Sequence, residues 1–166
     1  MSATRSPATP NLTVRSTLDA GAQQAVTARL QPLLVDLIEL SLTGKQLHWN
    51  ILGSDFKTIH EHLDELVAEY RTWSDDVAER LTSIGVAPDG RVQRVAGDSP
   101  EDPAPEAWAH QEQVIATMAD RVEAVARRTR ERLDGLGDID VASEDLLIEI
   151  LDGLEMQLWM LSAQQA

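Results

Sequence analysis

The stretch QLHWNILGSDFKTIHEHLDE, residues 46–65, contains three of the four histidines of the chain and four carboxylates. The letters LGSD in its middle interrupt a helical pattern, because glycine is a poor helix former and Ser54 or Asp55 is suited to cap the next helix. The stretch therefore predicts two helices joined by a tight turn, with imidazoles and carboxylates on both sides of that turn.

Apolar residues recur at helical spacing on both sides of the turn. A first helix is predicted from Gly21 to about Ile51, with a local kink at Pro32, because proline removes a backbone hydrogen bond. A second helix is predicted to run to about Ile84. Its apolar residues share one stripe of the helical wheel, which we expect to face the core. The stripe consists of Ile59, Leu63, Leu66, Tyr70, Trp73, Val77, Leu81 and Ile84.

The second half of the chain predicts two more helices after a long connection. Residues 85–105 contain four prolines and three glycines, which favour a connection over a continued helix. A third helix is predicted from about Pro105 to Leu133 and a fourth from about Ser143 to Ser162. Four helices with one long crossover between the second and third are typical of a ferritin-like, all-α bundle. We expect this domain to span residues 19–166 and to follow a flexible N-terminal tail, residues 1–18.

Charge and composition narrow the classes of partner. The chain has 166 residues, a net charge of -14 and no cysteine. The negative charge disfavours binding to nucleic acid and anionic membranes over most of the surface and favours binding of cations. The absence of cysteine excludes a thiolate metal site and a disulfide framework, and no apolar run approaches the length of a membrane span. We expect a soluble cytoplasmic protein.

Four side chains on the second helix predict a metal site that one copy of the helix cannot complete. His60, Asp64, Asp75 and Glu79 lie at about 0°, 40°, 60° and 100° on the helical wheel, opposite the apolar stripe. The pairs His60/Asp64 and Asp75/Glu79 each have the spacing of neighbours on one face. Because 11 residues separate Asp64 from Asp75, about 16 Å lies between the pairs. Two antiparallel copies related by a two-fold axis would bring the His60/Asp64 pair of one copy next to the Asp75/Glu79 pair of the other.

His48, at the end of the first helix, is the candidate fifth ligand across the turn. Imidazole and carboxylate donors suit Fe(II), and also Zn, Mn or Co, so the donors alone do not select the metal. The alternative interpretation of the whole stripe is a solvated acidic face with incidental histidines.

Residues 44–80, GKQLHWNILGSDFKTIHEHLDELVAEYRTWSDDVAER, resemble the Dps family, the mini-ferritins named as DNA-binding proteins of starved cells. The resemblance rests on the His-Trp-Asn triplet at 48–50, Gly53, Phe56, the histidine at 60 and the Asp-x-x-x-Glu-Arg pattern that ends at Arg80. LEMQLWMLSA, residues 154–163, resembles the last helix of that family. A ferritin with its di-iron site inside one bundle would use Glu-x-x-His motifs, and the sequence has none.

The resemblance implies a hollow dodecamer with an iron-oxidising (ferroxidase) centre at each two-fold interface. His48, His60 and Asp64 of one subunit would face Asp75 and Glu79 of its neighbour. The implied activity is oxidation of Fe(II), preferentially with hydrogen peroxide, followed by storage of ferric mineral inside the shell and protection of DNA from oxidative damage. Iron is thus the implied metal, and hydrogen peroxide is the implied second substrate.

The resemblance also implies roles for carboxylates outside the ferroxidase centre. Glu61 and Glu65 match inward-facing residues that nucleate the mineral, although solvated side chains are the alternative. Asp140 and Glu149 match the acidic pore through which iron enters. Carboxylates at the start of a helix are also favoured by its dipole, so capping is the alternative at this helix terminus.

Two residues of the motif are candidates for supporting the centre without binding metal. Arg80 is expected to pair either with a ligand carboxylate or with a neighbouring subunit across the interface. For Trp49, packing is the favoured interpretation, and electron donation to the centre is the alternative.

The sequence favours at most weak binding of DNA. In the family, DNA binding usually depends on a tail rich in lysine and arginine, and this tail has only Arg5 and Arg15. Many tails on one shell would add their contributions, and bound DNA would place the protein at the nucleoid. A stripe of Arg121, Arg128 and Arg132 on the third helix is expected to pair with nearby Glu123 and Glu131 and with neighbouring subunits, and a phosphate-binding patch is the alternative. The alternative function is a non-catalytic shell of the same fold that compacts DNA.

Overall fold

Four long helices and one short helix form the computed structural model, which describes residues 14–100 and 104–165. The first two long helices pack along each other, and so do the last two. The elements are α1 (Ala20–Asn50), β1 (Ile51–Leu52), α2 (Phe56–Ser83), α3 (Val92–Asp98), β2 (Ala109–His110), α4 (Gln111–Arg132) and α5 (Val141–Ala163). The predicted all-α, ferritin-like architecture is confirmed.

The first helix begins where its capping residue lies. Asp19 accepts a hydrogen bond from the backbone N–H of Ala22 at 2.8 Å, which satisfies one of the unpaired donors of the first turn. The helix stays continuous through Pro32. Leu18 packs against the core, so ordered contacts begin before the predicted boundary at residue 19. Most of the predicted tail, residues 1–13, lies outside the described residues.

The apolar stripe of α2 faces the core as predicted. Seven of its eight members are buried, and Trp73 is partly buried. Tyr70 is fully buried at the centre of the stripe. Burial raises the pKa of the Tyr70 hydroxyl above its ordinary value, because the phenolate would be charged and unsolvated. With one face of α2 committed to the core, the opposite face with its histidine and carboxylates is left at the surface.

The third long helix begins six residues later than predicted, at Gln111 instead of Pro105. Ala109 and His110 are extended and form a short parallel pairing with Ile51 and Leu52. The pairing supplies backbone hydrogen bonds from a distant segment, and this overrides the local helical preference. The long connection is confirmed, and it also contains the short helix α3, which the sequence did not predict.

The turn between α1 and α2 is fixed by the start of α4. The side chain of Gln111 accepts a hydrogen bond from the backbone N–H of Asp55 and donates one to its carboxylate, both at 2.9 Å. Gly53 has a φ of 150°, and a Cβ atom on it would come within 2.1 Å of the Gln111 side chain. Glycine is therefore required for the turn to close in this way.

No helix within the described parts of the chain is both long enough and apolar enough to cross a membrane.

A buried ion cluster joins α1 to α4. Asp36, on α1, is only 4% exposed, and its carboxylate lies 3.0 Å from Arg128 Nη2 and 2.7 Å from Arg132 Nη1. The partners predicted for these arginines, which are Glu123, Glu131 and neighbouring subunits, did not include Asp36. The partner lies on another helix, because the folded bundle brings a buried carboxylate within reach of both guanidinium groups.

We expect Asp36→Ala to destabilise the fold strongly, because it removes a buried carboxylate that lies against two guanidinium groups. The free energy of unfolding should fall by about 3 kcal/mol, measured by chemical denaturation at one protein concentration. Glu123→Ala is the matched control, since Glu123 forms an exposed pair with Arg127 at 3.9 Å. The control should change the free energy of unfolding by less than ~0.5 kcal/mol. Equal losses would contradict the assigned role of Asp36.

Candidate metal centre

Two stacked imidazoles form the centre of the site. His48 lies in the last turn of α1 and His60 near the start of α2, and the turn between the helices brings their rings together. The ring centroids are 3.5 Å apart and the ring planes differ by 20°. His48 is buried and His60 is half-buried. The rings therefore have a fixed orientation before any ligand binds.

Reciprocal hydrogen bonds determine which nitrogen of each ring is available. His48 Nδ1 lies 2.9 Å from the backbone carbonyl oxygen of His60, and His60 Nδ1 lies 2.9 Å from that of His48. A carbonyl oxygen only accepts, so each Nδ1 is the donor and carries the hydrogen. In the neutral rings both Nε2 atoms then keep their lone pairs, which is the form that binds a metal ion.

Asp64 lies next to the histidine pair and is held by a lysine. Lys45 Nζ is 2.6 Å from Asp64 Oδ1, and His48 Nδ1 is 3.5 Å from the same oxygen. The hydrogen bond from Lys45 lowers the pKa of the Asp64 carboxyl, so this group stays ionised in mildly acidic solution. The Lys45 ammonium also lies 5.7 Å from the ring centroid of Trp49. The Lys45 ammonium group therefore occupies one carboxylate oxygen of Asp64 that a metal ion would otherwise use.

Asp75 and Glu79 lie further along α2, on its exposed face. Neither carboxylate has a hydrogen-bond or ion-pair partner within the described parts of the chain. The rise of an α-helix puts Asp75 about 16 Å and Glu79 about 22 Å from Asp64. Among the described residues, no three His, Cys, Asp or Glu side chains are close enough to hold one ion. One chain thus presents two separate sets of donors and no complete centre.

Arg80 has partners that the sequence did not predict. Its guanidinium group donates to Ser143 Oγ at 3.0 Å and to the carboxylate of Asp140, both at the start of α5. Burial by itself would raise the pKa of Asp140, but the hydrogen bonds from Ser143 and Arg80 outweigh it and lower that pKa. Within the described residues, Arg80 therefore positions the end of α2 against α5, and its pairing with a ligand carboxylate or across an interface stays a prediction.

The remaining predicted carboxylates lie at the surface. Glu61 is 3.6 Å from Lys57 on the same helix, and Glu65 is exposed. Glu149 is exposed beside Glu79 in an open groove of about 560 Å³. Asp140, the other predicted pore residue, is instead engaged by Arg80 and Ser143. The roles of all four in mineral formation or iron entry stay predictions.

The other predicted residues divide between the site and the tail. Trp49 is 63% exposed, and both its packing and its electron-donating role stay predictions. Arg15 is exposed, and Arg5 lies outside the described residues.

Lys45 is the functional residue that sequence reasoning missed. It precedes His48 by three residues, a spacing that puts both side chains on one face of a helix. That spacing was a usable signal, but the position of Asp64, on the next helix, was not known from the sequence.

We expect Lys45→Met to raise the affinity of the site for Fe(II), because the ion then no longer competes with an ammonium group for Asp64. Removing one unit charge beside an exposed carboxylate should lower the dissociation constant severalfold at low ionic strength. Titration with Fe(II) in the absence of oxygen measures this dissociation constant. Lys57→Met, which removes a lysine paired with Glu61, is the control and should leave the constant unchanged. A weaker site in Lys45→Met would show that Lys45 supports metal binding.

Comparisons with known proteins agree with this architecture. The family model described as a ferritin-like domain matches residues 27–166. The DNA protection during starvation protein of Mycolicibacterium smegmatis is 32% identical over 134 residues, which cover 81% of this chain and 73% of that protein. The fine tangled pili major subunit of Haemophilus ducreyi is 36% identical over 142 residues, covering 83% of this chain and 73% of that protein.

The structural comparison gives the same result over almost the whole fold. The Dps structure from Microbacterium arborescens, in its high iron form, superposes with a TM-score of 0.86 at 32% identity. The match covers 90% of this chain and 98% of that one. The chain belongs to the ferritin-like family and, within it, to the Dps proteins.

Proposed function

We propose that this protein oxidises Fe(II), preferentially with hydrogen peroxide, at centres shared between two subunits of a hollow dodecamer. Each centre consists of His48, His60 and Asp64 of one subunit and Asp75 and Glu79 of another. The shell stores the ferric product and protects DNA from oxidative damage. The supporting observation is the reciprocal bonding of the two histidines through Nδ1, which keeps both Nε2 lone pairs available, with the Asp64 carboxylate next to the His48 ring.

The distribution of donors along α2 supports a shared centre. The histidine pair and Asp64 lie at one end of the helix, while Asp75 and Glu79 lie further along it, exposed and without partners in the described residues. When two such helices pack antiparallel about a two-fold axis, the histidine end of each helix meets the Asp75/Glu79 end of its neighbour. Two complete centres result. Leu34 and Ile38 line an open cavity of about 530 Å³ next to Asp75, which offers a second chain apolar surface to cover.

The donor set suits the proposed reaction. Imidazole and carboxylate ligands bind Fe(II) and leave coordination positions for water or peroxide. Two Fe(II) ions each give one electron to one peroxide molecule, whose O–O bond breaks to give two oxygen atoms at the oxidation level of water. The ferric ions hydrolyse to oxyhydroxide and release protons. Because both electrons are delivered at one centre, no hydroxyl radical is released.

A mixing experiment tests the shared centre directly. The variant His60→Ala/Asp64→Ala lacks one set of donors and the variant Asp75→Ala/Glu79→Ala lacks the other, so each alone should lose rapid peroxide-dependent oxidation of Fe(II). Co-expressed in equal amounts, they should recover about a quarter of the wild-type centres, since half of random two-fold pairs are mixed and each has one intact centre. Ferric absorbance after anaerobic Fe(II) loading measures the recovery, and particle size is measured in the same samples.

The control for this mixture puts all four substitutions on one chain and mixes it with wild-type chains. Mixed pairs then contain no intact centre, and only the wild-type pairs, about a quarter of the total, remain active. Rapid oxidation by Asp75→Ala/Glu79→Ala alone would contradict the shared centre. Absence of oxidation in the wild-type protein would favour the non-catalytic shell.

DNA binding is a separate part of the proposal and depends on the tail. Arg5 and Arg15 supply only two positive charges to a chain of net charge -14, so we expect weak binding that disappears as salt is raised. Gel shifts of assembled protein at several salt concentrations measure it. Arg5→Ala/Arg15→Ala should abolish any shift and leave iron oxidation unchanged. A shift that survives this double substitution would place the DNA contact on the shell.

A further inference from the structure

A cavity of about 370 Å³ lies between α2 and α5, on a part of α2 that the histidine pair does not use. Its walls combine an indole ring, two thioethers, a carboxylate and an amide. The lining side chains that carry this chemistry are Trp73, Met156, Met160, Glu69 and Gln157. None of them belongs to the proposed iron centre.

The indole of Trp73 is placed in this cavity by its neighbours. It lies against α5 at Gly153, where a Cβ atom would come within 2.5 Å of the ring, so only glycine lets the ring approach the helix so closely. The ring also lies near Tyr70, with centroids 6.0 Å apart and planes inclined by 54°. These two contacts hold the ring in one orientation.

The polar groups of the cavity favour a cation. Gln157 is 1% exposed, and its side-chain nitrogen donates to the carboxylate of Glu69. Its Oε1 atom is buried and has no hydrogen-bond partner within the described residues. An unsatisfied acceptor and a carboxylate together give the cavity a negative potential. A buried acceptor without a partner costs free energy, which a positively charged or hydrogen-donating ligand would recover.

The two methionines determine which cation fits. Met156 and Met160 are four residues apart on α5, a spacing that puts both side chains on one face of the helix, and both line the cavity. Thioether sulfur is a soft donor that selects Cu(I) over Fe(II), Mn(II) or Mg(II). The face of an indole attracts a cation as well. Two thioethers and an aromatic face thus favour a soft monovalent ion.

We propose that this cavity binds Cu(I), with Met156 and Met160 as the sulfur ligands and the face of Trp73 as the third contact. Glu69 and Gln157 supply the surrounding negative potential. The site is chemically distinct from the nitrogen and oxygen donors of the histidine pair. The protein would therefore hold two different redox metals at two places on the surface of α2.

The test measures Cu(I) binding to the assembled, full-length protein without oxygen. Cu(I) is supplied as its acetonitrile complex, and a coloured Cu(I) chelator competes for it. The wild-type protein should withdraw one ion per chain. Met156→Leu/Met160→Leu should weaken binding at least tenfold, because leucine keeps the volume and removes the sulfur. The matched control is Met118→Leu, a fully buried methionine outside the cavity, which should bind as the wild type does.

Two further measurements separate this site from the histidine pair. His60→Ala should retain Cu(I) binding, and Met156→Leu/Met160→Leu should retain the wild-type rate of iron oxidation. Trp73→Phe should lose most of the quenching of tryptophan fluorescence that Cu(I) causes. Binding that survives the double methionine substitution, or that disappears in His60→Ala, would overturn the assignment and place Cu(I) at the histidines.

Discussion

The pair of hydrogen bonds between His48 and His60 is the interaction on which the candidate iron centre depends. Each ring donates through Nδ1 to the backbone of the other residue, so the tautomer, the ring orientation and the end-to-start contact of α1 and α2 are fixed together. The turn that makes this geometry possible is itself fixed by Gly53 and by Gln111 of α4. A local feature of the motif thus depends on a helix that lies about fifty residues further along the chain.

The regular rise of α2 imposes a second constraint on the candidate centre, because it sets the distance between the donors. A helix that rises about 1.5 Å per residue keeps Asp64 and Asp75 apart whatever their chemistry, so the donors of one chain remain two incomplete sets. The proposed completion by a second chain would account for the coexistence of a well-packed core with an exposed Trp49 and with exposed carboxylates that have no partner among the described residues. Under this arrangement assembly and metal binding are linked, because the same contact that buries the surface also brings the donors together.

Two kinds of donor lie at different places along α2. Imidazole and carboxylate groups near His60 and Asp64 suit a hard or borderline ion, while Met156 and Met160 of α5 line the cavity beside Trp73, and their thioethers suit a soft one. The separation has a physical cause, since the cavity is formed by α5 whereas the histidine pair is formed by α1. Two neighbouring helices therefore give one helix two different coordination environments.

The sequence by itself determined the four long helices, the buried stripe of α2 and the histidines and carboxylates of the candidate centre. All of these follow from spacing within single helices. It also showed that one helix could not hold all of them. Only the tertiary structure decided the start of α4 at Gln111, the pairing of Arg80 with Asp140, and the contact of Lys45 with Asp64. Each of these is a contact between segments distant in sequence, and its partner is chosen by packing, which no local periodicity encodes.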